Sequence, residues 1–540
     1  MSKLLKWDRW QKLFQAEYLV FVIVILGLFL RCFQLGQVPH GLTWDEAAVG
    51  YNGYAVVTTR RDEWLHRLPI SFRSFGDYKA PFAIYLNGIF TTVLGLGLEP
   101  WAIRLPFALS GGAAVLGLIF LTRELLKFLE FKNPDQTITM ANLAGLWLAI
   151  SPWHIHFTRT GFESGLAVTI LIWASWITLR AIQTKSWFLW LTASVAWILS
   201  LYAYHSAKIV TPLILLGFLI WQAKNLWNQR KALVWPIALG IVLLLPLVKD
   251  ALVGDGLTRA GTLLFSRATS MTNFFELLWQ NILAQDSLSF WLQGGTTTLR
   301  HSDGQTGVIY WPDLIAIAVA VFGFGWNRFK RLKFGWWDKL CLIGGLWSVI
   351  GLLPAILASE TPHPNRAFLA IVGVGGLTLA GWSKALNYLN QRHKFNWLLL
   401  VGIAYFGSLC LYQWHYYTDF KSRSAVDFFD GYLEAAELAV KFEKNPPNNQ
   451  EVDKILFTDY YGQPYIFVLL ARKTNPIWYQ GGGLIKYEFT SKINTGDLDR
   501  NKTLVIASPT DDILDAKKPD QLIYGSDGLV KFKVFYPKTL

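Results

Sequence analysis

Residues 18–33 read YLVFVIVILGLFLRCF, with Arg31 as their one charged residue. A run that approaches the roughly 20 apolar residues needed to cross a bilayer predicts a membrane-spanning helix. Residues 41–51, GLTWDEAAVGY, follow after a short link and contain two adjacent carboxylates, Asp45 and Glu46. The acid pair is therefore expected close to the membrane surface, which raises the question of what chemistry it serves there.

The composition of the whole chain is that of a membrane protein. Of its 540 residues, 53% are hydrophobic and 16% charged, and the mean hydropathy is +0.30, whereas average proteins are about 25% charged. The 26 Trp and 21 Tyr suit a chain with many membrane–water boundaries. Lys and Arg gather in short loops between apolar runs, so the positive-inside bias explains the net charge of +13 better than nucleic-acid binding does.

The cysteines and the N-terminus further narrow the class. Cys32, Cys341 and Cys410 lie in or at the ends of apolar runs, which argues against a disulfide framework and against a cysteine metal site. Basic residues precede the first apolar run, and no small-residue cleavage site follows it. We therefore expect an uncleaved anchor with a cytoplasmic N-terminus.

Eleven stretches are predicted to span the membrane because they are apolar and of suitable length. They are residues 17–33, 105–122, 140–153, 165–181, 187–204, 208–222, 232–248, 311–327, 338–358, 366–383 and 396–413.

One more apolar run, residues 81–98, is long enough to cross but is predicted not to. If it stays outside, the basic clusters between the spans fall in the cytoplasm, and each short outer loop keeps a single basic residue, as the positive-inside rule requires. If it crosses, every assignment inverts. We therefore predict a re-entrant or interfacial helix on the outer side, where irregular backbone must be covered by protein.

This topology predicts a polytopic helical domain, residues 1–414, with a first outer loop at 34–104 and a long outer loop at 249–310. Residues 273–285, NFFELLWQNILAQ, carry a helical apolar stripe that could lie in the interface. After residue 414 the chain turns polar, which predicts a small outward-facing α/β domain over 415–540. Its predicted elements are a helix at 424–442 and strands at 454–461, 465–471, 503–508 and 529–536.

Charged residues from separate parts of the chain fall near the outer ends of the predicted spans. They are Asp45, Glu46, Asp77, Lys79, Arg104, Arg159, Glu163, Lys208, His363 and Arg366. Charges near a bilayer are costly and either snorkel to the interface or mark a function. Together, cations can hold a phosphate and a carboxylate can take a proton from a hydroxyl. The sequence contains no P-loop or dinucleotide motif, so a lipid-linked phosphate suits this site better than a nucleotide.

Four motifs in this order, GLTWDEAAVGY, DYKAPFAIYLNGIF, WAIRLPFALSGG and HFTRTGFESGLAV, make the chain resemble the polyprenyl-phosphate-dependent glycosyltransferases of the GT-C fold. The protein O-mannosyltransferases and the bacterial lipid A aminoarabinose transferases are the most similar groups. The resemblance covers roughly residues 17–225 well and weakens beyond them. It implies a GT-C membrane domain whose first loop contains a re-entrant or interfacial helix.

The resemblance also implies roles for individual residues. Asp45 matches the catalytic base and Glu46 its acidic neighbour; adjacent side chains project differently, so Asp45 is expected to face the substrate. Lys79 matches a lysine that contacts the donor phosphate. The remaining residues assigned to substrate binding are Tyr51, Arg159, Glu163 (where the family commonly has Asp), Lys208, His363 and Arg366.

The predicted function is transfer of a sugar from a polyprenyl-phosphate donor to a hydroxyl of a protein, lipid or glycan on the outer face of the membrane, with inversion. Phosphate leaves well as an anion, so one base and an electrostatic clamp suffice. No metal or other cofactor is expected, because the resemblance implies a monophosphate donor. The expected location is the bacterial inner membrane, with the site and the C-terminal domain on the periplasmic side.

Other interpretations of the same residues stay open. Asp45 and Glu46 could be acids in the first turn of a helix capped by Thr43, and Glu163 could cap another helix. His154 and His156 form a His-x-His pair, although a metal site needs further ligands. Rival functions are a pyrophosphate-donor oligosaccharide transferase or ligase, and a lipid-linked saccharide transporter. The transporter would be expected to show repeats and polar mid-membrane residues, and neither is evident.

Overall fold

A computed structural model describes residues 2–254, 258–296, 298–388, 391–446, 452–493, 502–511 and 518–537. Its helices are α1 (Ser2–Cys32), α2 (Trp44–Thr59), α3 (Pro81–Gly88), α4 (Pro100–Phe128), α5 (Pro134–Ile150), α6 (Pro152–Arg159), α7 (Glu163–Thr184), α8 (Trp187–Ala203), α9 (Ala207–Trp221), α10 (Ala223–Asn228), α11 (Arg230–Val253), α12 (Met271–Gln285), α13 (Leu288–Gln293), α14 (Trp311–Phe329), α15 (Trp336–Ile356), α16 (Pro364–Ala367), α17 (Ile371–Tyr388), α18 (Gln391–Tyr417), α19 (Phe420–Arg423), α20 (Tyr432–Lys444), α21 (Pro464–Arg472) and α22 (Pro476–Trp478). Its strands are β1 (Phe72–Ser74), β2 (Asp77–Lys79), β3 (Lys454–Thr458), β4 (Tyr487–Thr490), β5 (Thr503–Ala507), β6 (Gln521–Tyr524) and β7 (Val530–Phe535).

The chain divides into two compact units. The helical unit comprises Met1–Phe33 and Phe107–Trp414, and the mixed unit comprises Gln34–Pro106 and His415–Leu540. The predicted domain boundary after residue 414 coincides with a unit boundary. The first loop, however, groups with the C-terminal segment, whereas the predicted domains placed it with the spans.

In the helical unit, each of the predicted spans lies on a helix. The span at 17–33 is the second half of the longer α1, and the ends of the other spans agree with their helices to within about six residues. Within the described residues, six helices are long and apolar enough to cross a membrane. They are Pro100–Phe128, Glu163–Thr184, Arg230–Val253, Trp336–Ile356, Pro364–Asn387 and Phe395–Tyr417. The predicted amphipathic helix at 273–285 is also confirmed as a helix, α12.

The apolar run at 81–98 forms a shorter helix than predicted. Its helical part, α3 with the π-helical turn Ile89–Val93, ends at Val93. At 1.5 Å per residue, such a helix extends roughly 20 Å, less than the roughly 30 Å of a hydrocarbon core. The length is thus consistent with a helix that does not span, while its position outside the membrane stays a prediction.

Helices α14 and α15 pack on α17 at the end of the helical unit's sequence. A Cβ added to Gly373 would lie 2.4 Å from the backbone nitrogen of Ser348, and one added to Gly381 would lie 1.8 Å from the carbonyl oxygen of Ala316. Real side chains cannot approach backbone atoms so closely. Glycine at these two positions therefore allows the three helices to sit in near backbone contact, as small residues commonly do between membrane helices.

The mixed unit contains a five-stranded sheet in the order β4-β3-β5-β7-β6. Strand β3 pairs parallel with both β4 and β5, and β7 pairs antiparallel with β5 and β6. This arrangement confirms the predicted strands at 454–461, 503–508 and 529–536 in type, each somewhat shorter than expected.

One predicted element of this unit is wrong, and the start of another is misplaced. Residues 465–471 form helix α21, not a strand, because a parallel β3–β4 pair requires a crossover connection and Pro464 begins a helix there. The helix expected from residue 424 begins only at Tyr432, after Gly431 in the left-handed region (φ 86°). A uniformly apolar run does not distinguish a buried strand from a buried helix.

Candidate active site

The acid pair lies in the first turn of α2, in the mixed unit. Thr43 caps the helix: its Oγ1 accepts a hydrogen bond from the Glu46 backbone nitrogen at 3.2 Å. Glu46 Oε2 accepts from the Thr43 backbone nitrogen at 2.9 Å, which completes a capping box. The capping interpretation therefore holds for Glu46. It leaves the neighbouring Asp45 side chain available for other contacts.

Asp45 makes an ion pair with a residue from a different part of the first loop. Lys79 Nζ lies 2.8 Å from Asp45 Oδ1. Lys79 ends the small β1–β2 hairpin, where it pairs in register with Phe72, and Pro81 begins α3 just after it. Asp45 is 32% exposed and Lys79 15% exposed, so this pair combines access from outside with a partly desolvated cation.

Glu46 makes a second ion pair that is almost completely buried. Arg104 Nε donates to Glu46 Oε1 at 2.7 Å, and its Nη2 donates to Glu46 Oε2 at 3.2 Å. Arg104 also donates to the carbonyl oxygens of Pro39 and Gly41, each at 2.7 Å. Arg104 thereby links the first turn of α2 to the preceding residues Pro39 and Gly41. Glu46 and Arg104 therefore hold the start of α2 in position.

Tyr51 lies further along α2 and is fully buried. Its hydroxyl donates to the backbone carbonyl of Thr474 at 3.0 Å, a contact between α2 and the C-terminal segment within the mixed unit. The prediction that Tyr51 binds substrate remains a prediction; in this structure its hydroxyl joins two parts of one core.

A third carboxylate of the mixed unit, Glu63, is buried beside α2. Its Oε1 accepts from Tyr465 at 3.4 Å, and its Oε2 accepts from Asn52 at 3.3 Å. Burial raises the pKa of Glu63 to about 8; the hydrogen bond from Asn52 opposes this shift, and the negative charge of Asp62 adds to it. Glu63 is therefore mostly protonated near neutral pH, and it packs against α2 through its hydrogen bond with Asn52.

Two predicted substrate-binding residues of the helical unit, Arg159 and Glu163, are buried at helix ends. Arg159 Nη1 donates to the carbonyl oxygens of Leu30 and Arg31, at 3.0 and 3.2 Å. It thus interacts with the C-terminal end of α1, where a cation is favourable. Glu163 is the first residue of α7, which agrees with the capping alternative since acids stabilise a helix N-terminus.

The remaining predicted cations of the helical unit occupy helix starts. Lys208 is half-buried in the first turn of α9, a position where the helix dipole favours an anion. His363 caps α16: its Nδ1 accepts from the Arg366 backbone nitrogen at 3.4 Å, and its ring lies 4.6 Å from that of His301. Arg366 Nη1 contacts the Thr262 carbonyl at 3.5 Å.

The two histidines of the His-x-His pair make hydrogen bonds to different parts of the helical unit. His154 Nδ1 lies 2.6 Å from Arg31 Nη2 and accepts from it, whereas His156 Nε2 lies 2.9 Å from the carbonyl oxygen of Arg300 and donates to it. Among the described residues, the one group of His, Asp and Glu close enough to share a metal is His40, Asp430 and Glu434 in the mixed unit.

In that group His40 Nδ1 is already hydrogen-bonded to Asp430 at 2.5 Å. This hydrogen bond raises the pKa of His40 above its ordinary value. The pair joins the first loop to the C-terminal segment within the mixed unit. The expectation that the protein needs no metal remains a prediction.

Two groups that contact α2 were not assigned to the site from the sequence. Arg104 stands in the WAIRLP motif and was noted as an outer charge, but its pairing with Glu46 spans 58 residues of sequence. Glu63 had no signal, because a single acid among polar loop residues is ordinary. Only the packing of α2 against the C-terminal segment buries it.

The sequence matches no protein-family model and no curated protein. Solved structures, however, share its fold. ArnT from Cupriavidus metallidurans in the apo state is 13% identical over 92% of this chain and 94% of ArnT, with a TM-score of 0.52. The archaeal oligosaccharyltransferase AglB from Archaeoglobus fulgidus, in complex with an inhibitory peptide and a dolichol-phosphate, is 13% identical over 86% of this chain, with a TM-score of 0.51.

AglB in complex with Zn and sulfate gives the same TM-score at 14% identity over 84% of this chain. This chain spans 64% of the length of AglB in the peptide complex and 61% in the sulfate complex. Identities this low show a shared fold. Both neighbours have the GT-C fold, and the predicted fold class is confirmed to that level, with a small C-terminal sheet. The chain is an integral membrane protein that has the GT-C fold.

Proposed function

We propose that this protein is a membrane glycosyltransferase that moves a sugar from a polyprenyl-phosphate donor to a hydroxyl of an acceptor. The observation that supports the proposal most is the accessible Asp45–Lys79 ion pair at 2.8 Å. It joins a carboxylate that can take a proton to a cation that can bind phosphate, on a rigid helix start. AglB, which shares the fold, has a solved structure in complex with an inhibitory peptide and a dolichol-phosphate, which fits a lipid phosphate as donor group.

The pair suggests how the two residues share the reaction. In the resting site Lys79 donates to Asp45 Oδ1. When the donor phosphate enters, the ammonium turns toward the phosphate oxygens, and the carboxylate becomes free to accept the proton of the acceptor hydroxyl. The acceptor oxygen then forms a bond to the anomeric carbon, and the bond between that carbon and the phosphate oxygen breaks on the opposite face. The phosphate leaves with the electron pair, still attached to its polyprenol, and the sugar is inverted.

Each other predicted residue keeps a place in this proposal. Lys208, His363 and Arg366 are predicted to contact the donor phosphate because the resemblance places basic residues of the family at these positions. Tyr51, Arg159 and Glu163 stay predicted substrate-binding residues, as the resemblance implies. Glu46 supports Asp45 through Arg104. No step uses a metal, since cationic side chains supply the electrostatic clamp.

The test is sugar transfer by the purified protein in liposomes. Polyprenyl-monophosphate donors carrying labelled hexoses or pentoses are supplied with candidate acceptors, and release of free polyprenyl phosphate is measured with and without a chelator. Wild type should turn over at least one such donor, Asp45→Asn should not, and the exposed Glu99→Gln in the same unit should match wild type. Turnover of a pyrophosphate donor alone, abolished by the chelator, would instead identify the oligosaccharide transferase or ligase.

Movement of intact lipid-linked sugar across the liposome, with no cleavage, would identify the transporter. Sidedness has its own experiment. In a background without the native cysteines, Tyr524→Cys in the mixed unit and Lys330→Cys after α14 are both exposed. An impermeant thiol reagent should label only the first in intact cells, and the reverse pattern would place the site on the cytoplasmic side.

A further inference from the structure

An open cavity lies in the helical unit where the end of α14, the start of α15 and the end of α17 meet. Its volume is about 290 Å³, and its lining consists of Asn327, Trp336, Trp337, Lys384 and Asn387. The Trp337 indole and the Asn327 amide donate to the Ala380 carbonyl and to Asp338, at 2.8 and 2.9 Å. The Lys384 ammonium supplies a positive charge, and the Asn387 amide and the Trp336 indole supply hydrogen-bond donors. Such a lining suits an anion. None of these residues belongs to the proposed transfer site.

Lys384 is the charged group of this cavity, and its position is held by two neighbours. Its Nζ donates to Asn327 Oδ1 at 3.1 Å and lies 3.9 Å from the ring centre of Trp337. Across the part of the chain that the structure describes, no carboxylate lies within ion-pair distance of this ammonium. A half-buried cation at the end of membrane helices calls for an anionic partner.

The carboxylate of Asp338, which shares Asn327 with Lys384, is already occupied. Asp338 Oδ1 accepts from Asn327 at 2.9 Å and from Arg328 at 3.2 Å, and its Oδ2 accepts from the Gly335 backbone nitrogen at 3.0 Å. With its charge compensated in this way, Asp338 does not oppose an anion beside Lys384. Asp338 holds Asn327, and Asn327 in turn holds the ammonium of Lys384, so a chain of hydrogen bonds fixes the position of the lysine.

The surroundings indicate the class of anion. Basic residues crowd the short link between α14 and α15: Arg328, Lys330, Arg331 and Lys333. Trp336 and Trp337 begin α15, as aromatic residues do at the level of lipid headgroups. The charge pattern predicts this end to be cytoplasmic, where anionic lipids attract basic residues. We propose that the cavity binds the phosphate headgroup of an anionic phospholipid, with Lys384 as its cation.

Native mass spectrometry of the full chain tests the proposal. Detergent-purified protein is titrated with phosphatidylglycerol, with phosphatidylcholine of the same chains, and separately with inorganic phosphate. Phosphatidylglycerol should remain bound, and Lys384→Gln should weaken it about fivefold, as expected for one lysine at a membrane surface. Lys384→Arg should keep most of the affinity. The matched control is Lys127→Gln, which removes an exposed lysine paired with Glu124 at 3.0 Å and should leave binding unchanged.

Each other result overturns the proposal. Equal retention of both lipids, or equal loss in Lys384→Gln and Lys127→Gln, would mean nonspecific attraction. Saturable competition by inorganic phosphate at matched concentration would mean that the site takes a soluble anion. Should Lys384→Gln fail to fold, Asn387→Asp supplies the second variant, since a carboxylate at the cavity rim should repel the headgroup and lower retention to a similar degree.

Discussion

Two ion pairs stand side by side at the start of α2, and they differ chiefly in their access to solvent. The N···O distances are nearly equal, 2.8 Å for Asp45–Lys79 and 2.7 Å for Glu46–Arg104. Asp45 is 32% exposed, whereas Glu46 is 3% exposed. The buried pair is enclosed by backbone partners on both sides, while the accessible pair has room for a substrate.

The difference shows how adjacent acids in one motif take different tasks. Breaking a buried pair leaves an uncompensated charge in a low-dielectric site, so Glu46 and Arg104 stabilise the geometry. An accessible pair adds little stability and can exchange partners at low cost. We therefore assign chemistry to the accessible pair and positioning to the buried one, and the following changes test that division.

The largest expected effect is on turnover after Asp45→Asn. The amide keeps the shape of the side chain but cannot take a proton, so transfer should fall by ~10²–10⁴-fold. The free energy of unfolding in detergent should change by less than about 1 kcal/mol, because the ion pair is accessible to solvent. Turnover is followed by release of polyprenyl phosphate and stability by thermal melting. Retention of more than about a tenth of the rate, a loss under ~1.4 kcal/mol, would move the base to another acid.

The buried pair should show the opposite profile. Arg104→Met leaves the Glu46 carboxylate buried and unpaired, which should destabilise the protein by about 3–5 kcal/mol. Glu46→Gln retains hydrogen bonding and should cost less stability. The folded fraction of Glu46→Gln should keep a substantial part of the wild-type turnover, unlike Asp45→Asn. Melting curves and turnover per folded molecule measure this, and a full loss of turnover in stable Glu46→Gln would break the division of tasks.

Donor binding should depend on Lys79 and Arg366. Removing a cation that compensates a partly desolvated phosphate should lower kcat/KM by about 2–4 kcal/mol. We expect Lys79→Ala to weaken both donor affinity and turnover, because the same lysine also contacts Asp45. Arg366→Ala should act on donor affinity more than on turnover. Steady-state kinetics with varied donor separates the two, and near-normal values for Lys79→Ala would remove it from the site.

The smallest effect concerns Glu63 and pH. Its pKa is raised to about 8 by burial, whereas an unfolded Glu titrates near ~4.3. The folded state therefore holds a proton that the unfolded state releases, so this stabilisation is present in full below ~pH 4.3 and is lost as the pH rises through about 8.

Wild type should melt at lower temperature at pH 9 than at pH 6, and Glu63→Gln should show a smaller drop. Each 1 kcal/mol lost from the free energy of unfolding lowers the melting temperature by roughly 2–4 °C. The His40–Asp430 link also loses stability as His40 deprotonates, but it does so in both proteins. Identical pH slopes in the two would show that Glu63 carries no such proton.

Much of this architecture could be predicted from the sequence because membrane spans depend on local composition. A run such as 18–33 must form a helix in lipid, where every backbone polar group needs an internal partner. Strands β3, β5 and β7 were also predictable from short β-branched and aromatic runs. The acid pair and Lys79 were candidates since charge at a span end is costly wherever the chain goes next.

Only the tertiary structure decided how these parts combine. The sequence does not reveal that residues 34–106 form one compact unit with the C-terminal segment, because that grouping depends on contacts hundreds of residues apart. The same applies to α21, whose apolar run becomes a helix only since β3 and β4 pair in parallel. Asp45 and Glu46 are adjacent in sequence but have different partners. Arg104 pairs with the buried Glu46, and the β1–β2 hairpin places Lys79 beside the accessible Asp45. Long-range packing sets solvent access, and solvent access decides whether a carboxylate stabilises the fold or remains available for chemistry.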